Sequence, residues 1–243
     1  MWLHWMMIFF KFEDKVDFPF YNQMPSFTIK DKIVWIVALL VFAYLLFPIF
    51  PSVLLDLPDR VMPILYCVVL LLPVLYSTKG KIGLVFKKPK KGDWKLIVVS
   101  FIGYYVFVLL LFFILNHFGF SFENNSSTVG NSVQILDRIL LLIQLIGEEL
   151  FKFMILILVM SVIYKSTNKR KTSIIVGVIV TLFLFGIVHV GAYNFNMLQC
   201  LGLIGLGSIF YLYPYLKTKN LTLAYIVHVL IDLLPTLVFM GLL

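Results

Sequence analysis

The chain has 243 residues, of which 61% are hydrophobic and 13% charged, and its mean hydropathy is +1.01. This composition excludes a water-soluble domain and predicts an all-α fold, a polytopic helical bundle in a membrane. The net charge of +8 does not indicate nucleic acid, because most lysines lie in short loops beside apolar segments, as expected near anionic lipid headgroups. We therefore expect the lipid bilayer as a partner and no nucleic acid.

In chain order, residues 1–32 mix lysines with acidic residues and are predicted to form an amphipathic N-terminal segment. A single transmembrane domain is predicted over 33–243, since neither an internal repeat nor a composition change divides it. About seven membrane spans (six to eight) are expected in this domain. They cover 33–50, 61–76, 94–115, 139–164, 172–190, 198–216 and 221–242.

The distribution of basic residues predicts the orientation of these spans. If the N-terminus is cytoplasmic, seventeen lysines and arginines lie on the cytoplasmic side, and only Arg60 and Arg138 lie on the other. Cytoplasmic loops of membrane proteins carry such an excess of basic residues. We therefore predict a multi-pass protein of the cell membrane with a cytoplasmic N-terminus.

Two adjacent carboxylates, Glu148 and Glu149, interrupt the fourth apolar segment, and Lys152 follows one turn later. Each charged group near the middle of a membrane costs roughly 2.5 to 3.5 kcal/mol on insertion scales, so an unpaired set would cost on the order of 8 to 10 kcal/mol. Helix stability alone gives no reason to bury two adjacent carboxylates. Other parts of the chain must therefore supply partners for them.

Candidate partners lie in two later spans. His189 ends the fifth span, while His228 and Asp232 lie four residues apart, on one face of the seventh. Intramembrane ionisable groups normally face the bundle interior and meet one another, so one shared polar site is expected. A carboxylate beside an imidazole can activate water, and a second imidazole with a carboxyl group can stabilise an oxyanion. Two histidines and a glutamate, here Glu148, His189 and His228, are also a suitable zinc set, whereas the two cysteines form no metal-binding motif.

The depths of the two histidines argue against a shared site. At 1.5 Å per residue, His228 lies roughly 10 Å from the cytoplasmic end of its predicted span, and His189 lies roughly 25 Å from the end of its own. The two imidazoles can meet only if the fifth helix begins well outside the membrane or if the helices are strongly tilted. The basic residues 169–171 are compatible with such a protruding start.

Three motifs in this order resemble the signature of the CPBP intramembrane proteases, a family that includes CAAX prenyl endopeptidases and bacteriocin-processing, immunity and abortive-infection proteins. The motifs are a glutamate pair, a phenylalanine four residues before a histidine, and a histidine four residues before an asparagine or aspartate. Here they correspond to Glu148-Glu149, Phe185 to His189, and His228 to Asp232. The resemblance covers the C-terminal half of the chain, with a catalytic core at about 139–243.

The resemblance implies that Glu148 and His189 activate the attacking water, while His228 and Asp232 stabilise the oxyanion. Glu149 would support this site, and Lys152 and Phe185 are further candidate supporting residues. One position departs from the family pattern, because Phe153 stands where an arginine is usual. Lys152 is the nearest base, and its spacing from Glu148 predicts that these two side chains pair.

Two classes of function remain open on the sequence. The first is an intramembrane endopeptidase that hydrolyses a peptide or a small membrane-protein precursor, plausibly a pheromone or bacteriocin precursor. The second is a non-catalytic membrane scaffold or bacteriocin-immunity protein that keeps the polar cluster for structure. A proton-coupled transporter is less favoured, because no inverted repeat is seen. The sequence does not decide between a metal-bound and a glutamate-activated water.

Overall fold

A computed structural model of the chain describes residues 17–20, 26–46, 59–123 and 135–239, with the backbone alone for 235–239. These residues contain seven α-helices and no strand, which confirms the all-helical prediction. The helices are α1 Ile29–Leu46, α2 Met62–Ser77, α3 Trp94–His117, α4 Ile135–Thr167, α5 Arg170–Ile187, α6 Ile209–Thr218 and α7 Leu221–Phe239. Most of the predicted N-terminal segment 1–32 lies outside the described residues.

Among the described residues, three helical segments are long and apolar enough to cross a membrane: α3, α5 and the stretch Gln199–Thr218 that includes α6. Helix α2 and the part Leu221–Leu234 of α7 are apolar but shorter. Each of the seven predicted segments overlaps one of the helices. The described residues are thus consistent with a helical membrane bundle.

Helix α4 is the central element of this bundle. It packs against α5, α2 and α7, and every residue from 149 to 158 is buried. A helix that is buried on all sides lies in the interior rather than at the lipid surface. The segment that carries the glutamate pair is therefore surrounded by protein, which can supply the partners that lipid cannot.

Two predicted boundaries and one predicted helix type differ from the structure for local reasons. Helix α1 begins at Ile29 rather than at residue 33, because Thr28 and Asp31 form a capping box: Thr28 N–H donates to Asp31 Oδ2 (2.8 Å) and Asp31 N–H to Thr28 Oγ1 (3.2 Å). Helix α5 ends at Ile187, so His189 lies in the turn after the helix and not within it. The sixth segment starts as a π-helix, Gln199–Gly205, and continues through a 3-10 turn, Leu206–Ser208, into α6.

The π-helical segment packs very closely on α5. A methyl group at Gly186 would lie 2.7 Å from the carbonyl oxygen of Cys200, and one at Gly205 would lie 2.8 Å from that of Leu182. Both distances are shorter than van der Waals contact, and both involve backbone atoms that cannot rotate away. Only glycine fits at this contact, which lies one turn before His189.

We expect Gly186→Ala to destabilise the protein by about 1 to 3 kcal/mol, because overpacking against backbone forces the helices apart. The measurement is thermal unfolding in detergent. Gly202→Ala is the matched control, since a methyl group there would meet only the Leu111 side chain at 3.6 Å. Equal melting temperatures for the two variants would contradict this packing argument.

Candidate active site

The hairpin of α4 and α5 places Glu148 and His189 at the same level. Residues 168–169 join the two helices, which are antiparallel neighbours. Glu148 lies nineteen residues before Thr167, and His189 lies nineteen residues after Arg170. Equal distances from the turn bring the two side chains together across the hairpin.

The depth mismatch of His228 is resolved by the position of the turn between α6 and α7. This turn does not extend to the end of the bundle, because the loop after α2 packs on it: Leu221 N–H donates to the carbonyl of Val85 (3.0 Å), and Lys87 N–H donates to Asn220 Oδ1 (2.9 Å). Helix α7 therefore begins deeper than α5 does. His228, seven residues after Leu221, reaches the level of His189.

Both imidazoles are oriented through Nδ1. His189 Nδ1–H donates to the carbonyl of Phe185 (2.7 Å), and His228 Nδ1–H donates to Glu149 Oε1 (2.7 Å). A carbonyl and an ionised carboxylate only accept hydrogen bonds, so the proton lies on Nδ1 in each ring. In the neutral tautomer, Nε2 of each ring then carries a lone pair that is free for chemistry.

The two Nε2 atoms face the same carboxylate oxygen. Glu148 Oε2 lies 3.8 Å from His189 Nε2 and 3.7 Å from His228 Nε2, while Asp232 Oδ2 lies 3.6 Å from His228 Nε2. The other oxygen, Glu148 Oε1, accepts a hydrogen bond from Gln144 Nε2 (2.9 Å). The structure thus brings together the ionisable groups of α4, the turn after α5, and α7.

Lys152 pairs with Glu149 and not with Glu148, so the predicted pair was wrong. Its Nζ donates to Glu149 Oε1, and both side chains are fully buried. The ammonium also lies 4.1 Å from the ring centroid of Tyr211 and 4.4 Å from that of Phe185, within cation–π range. Spacings of three and four residues both correspond to about one helical turn, so Lys152 can reach either glutamate. The two aromatic rings hold its ammonium on the side of Glu149.

Phe153, which stands where the family usually has an arginine, belongs to a buried aromatic layer. Its ring centroid lies 5.6 Å from that of Trp35 and 5.7 Å from that of Tyr215, and the side chain is fully buried. An uncompensated guanidinium in this layer would carry a large desolvation cost. The positive charge in this chain is instead placed one residue earlier, at Lys152.

A cavity of 260 Å³ opens next to the cluster. Glu148, His189, His228 and Asp232 line one part of it, and the rest of the wall is largely aromatic. The phenylalanines and tyrosines of the lining are Phe42, Tyr66, Tyr104, Phe151, Phe185, Tyr193 and Tyr211. Such a space, apolar with a few convergent polar groups, is typical of a binding site.

Two residues of this site were missed by the sequence reasoning. Gln144 lies four residues before Glu148, and an amide side chain on the same helix face as this carboxylate was a signal that could have indicated it. Tyr211 stacks on the His228 ring with centroids 4.3 Å apart and planes 8° apart. No sequence pattern marks Tyr211 among the twelve tyrosines.

The predicted zinc set has chemically suitable donors, but the structure does not identify it as a metal site. Among the described residues, no group of three or more His, Cys, Asp or Glu side chains is positioned to hold a metal. The zinc role predicted for Glu148, His189 and His228 therefore has no support from the geometry.

We expect Lys152→Met to destabilise the protein by about 3 to 5 kcal/mol, because it leaves the buried Glu149 carboxylate without its cation. Adding Glu149→Gln should recover most of this loss, since glutamine carries no charge and can still accept the hydrogen bond from His228. Unfolding in detergent measures both variants, and Lys165→Met, at an exposed position of α4, is the control. A double variant no more stable than Lys152→Met would refute the pairing.

Comparison with known proteins agrees with the motif resemblance. Residues 131–234 match the family model described as Type II CAAX prenyl endopeptidase Rce1-like. No curated protein and no solved structure matches the chain. The matched segment contains Glu148, Glu149, His189, His228 and Asp232. Residues 131–234 are therefore similar to the CAAX protease-like family, in agreement with the three motifs.

Proposed function

We propose that the protein is an intramembrane endopeptidase in which Glu148 activates the attacking water. The observation that carries the proposal is the convergence of two oriented histidines on one oxygen of Glu148, at 3.8 Å and 3.7 Å. The match to a protease family supports peptide-bond hydrolysis as the reaction class.

The distance from Glu148 Oε2 to His189 Nε2 defines where the water would bind. Two acceptors 3.8 Å apart do not bond to each other, but one water can donate a proton to each. This water would be oriented by His189 and deprotonated by Glu148. Gln144 would hold the carboxylate through its other oxygen, so that Oε2 keeps facing the water.

The reaction follows from this arrangement. Glu148 takes a proton as the water oxygen attacks the scissile carbonyl carbon, and a tetrahedral oxyanion forms. His228 is placed to stabilise the oxyanion through Nε2–H when the ring is doubly protonated, because Glu149 and Asp232 lie on either side of the ring to balance its charge. The C–N bond then breaks, and Glu148 returns its proton to the leaving amine. No covalent intermediate is involved.

The position of Lys152 weakens the main argument for a non-catalytic scaffold or immunity protein. A lysine paired with Glu148 would have removed the catalytic base, but Lys152 is bound to Glu149 instead. Glu148 keeps contact with the cavity. We propose peptide or small membrane-protein precursors as substrates, with pheromone or bacteriocin maturation as the role.

We expect Glu148→Gln to reduce peptide cleavage by about 10² to 10⁴-fold with an unchanged protein level, because the amide keeps the shape and removes the base. The assay is cleavage of a library of membrane-anchored precursors by the detergent-purified protein. Asp137→Asn is the matched control, since it makes the same change on the same helix, at a residue that pairs with Arg60 outside the cavity. Absence of cleavage by a folded wild-type protein on every precursor would favour the scaffold.

Metal dependence is tested separately. If Glu148 activates the water without an ion, extensive treatment with a chelator should leave the cleavage rate unchanged, and the purified protein should contain no stoichiometric zinc. Loss of cleavage on chelation, with recovery on adding zinc, would instead establish the metal-bound water. Elemental analysis of the wild-type protein provides a readout that does not depend on activity.

A further inference from the structure

The cavity lies toward one end of the bundle. Helix α1 contributes Phe42 and Leu46 from its C-terminal end, while α4 contributes Leu141 and Gln144 from its N-terminal third. The turn after α5 contributes Ala192. In an alternating bundle, these parts of α1, α4 and α5 lie on the same side.

The opposite end of the bundle carries nearly all the basic residues. The starts of α1, α3, α5 and α7, the connections before them and the last turns of α4 and α6 hold fifteen lysines and arginines of the described residues, whereas Arg60 and Arg138 are the two at the cavity end. In the sequence, residues 47–58 between α1 and α2 and residues 124–134 between α3 and α4 contain no lysine or arginine. The positive-inside rule assigns the lysine-rich end to the cytoplasm.

Buried side chains separate the site from the lysine-rich end. Phe18, Trp35, Phe153 and Tyr215 are all fully buried, and Phe18 packs on Tyr215 with ring centroids 5.9 Å apart. Lys219 is also fully buried, with its Nζ 4.7 Å from the Phe18 ring and hydrogen bonded to the carbonyl of Leu216 (2.8 Å). A peptide coming from the lysine-rich end would have to displace this layer.

The cavity end is built differently. The segment 190–199 is joined to the loop after α3 by polar side chains: Gln199 Nε2 donates to the carbonyl of Glu123 (2.9 Å), and Asn194 Nδ2 donates to Glu123 Oε2 (3.1 Å). Around this junction Phe118 and Phe195 are 71% and 70% exposed. Exposed aromatic side chains beside polar groups are typical of the membrane–water interface.

We propose that the cavity is entered from the lysine-poor, extracytoplasmic side of the membrane, so that the substrate is a peptide segment that has already crossed the bilayer. That a substrate enters the cavity rests on the proposed endopeptidase function. The side of entry rests on the position of the cavity. The substrate class is then an exported peptide or the extracytoplasmic end of a membrane-anchored precursor. Export of the peptide must precede its cleavage.

The test is cysteine accessibility in intact cells with a membrane-impermeant maleimide. We expect Phe195→Cys and Ala192→Cys to be labelled to the same extent before and after permeabilisation, and Lys91→Cys to be labelled only after it. The unmodified chain is the background control, because Cys67 and Cys200 are both buried. Labelling of Phe195→Cys only after permeabilisation, with Lys91→Cys labelled in intact cells, would overturn the proposal.

This experiment needs no catalytic activity, so the two proposals fail separately. If labelling is as expected but no peptide is cleaved, the proposed side of entry is supported and the proposed endopeptidase function is refuted. The reversed labelling with cleavage that depends on Glu148 would keep the endopeptidase and place its substrate in the cytoplasm.

A further experiment compares cleavage of a soluble peptide added to sealed right-side-out and inside-out vesicles. Right-side-out vesicles should cleave the peptide. Cleavage by the inside-out vesicles alone would again refute extracytoplasmic entry.

Discussion

The rest of the site depends on how the chain compensates one buried carboxylate, that of Glu149. This side chain is fully buried in the central helix, and its Oε1 accepts hydrogen bonds from Lys152 and from His228 Nδ1. The ammonium offsets the charge, and the aromatic rings of Tyr211 and Phe185 stabilise the ammonium in turn. Because a lone charge in this environment would be costly, these side chains hold one another in a single arrangement.

This arrangement leaves the neighbouring glutamate for chemistry. Adjacent residues on an α-helix point about 100° apart, so Glu148 and Glu149 approach His228 at different ring nitrogens, and Lys152 pairs with Glu149. Glu149 faces the lysine and fixes the orientation of His228, whereas Glu148 faces the cavity and the Nε2 atoms of both histidines. The pair thus divides into a positioning carboxylate and a proposed catalytic one, and the division is a consequence of helix geometry.

The substitution of the usual family arginine is explained by the same compensation. With Phe153 at that position, the aromatic layer with Trp35 and Tyr215 continues without a charge, and Lys152 supplies the cation one residue earlier. The layer and the charge pair occupy adjacent turns of α4. The aromatic layer fills the bundle on the side of the lysine-rich end, and the charge pair orients His228 on the other side of the layer. The cavity therefore lies toward the lysine-poor end.

The sequence by itself determined the all-helical membrane class, the approximate position of the seven helices and the three motifs, because hydropathy and charge are properties of short segments. It did not determine that Lys152 binds Glu149 rather than Glu148, since both spacings fit one helical turn. Nor did it indicate Tyr211, or show how His189 and His228 reach one level from spans of different depth. Those features were decided by the tertiary structure, because they depend on where the turns between helices lie. The turn between α6 and α7 is recessed against the loop after α2, and local hydropathy does not indicate such a contact.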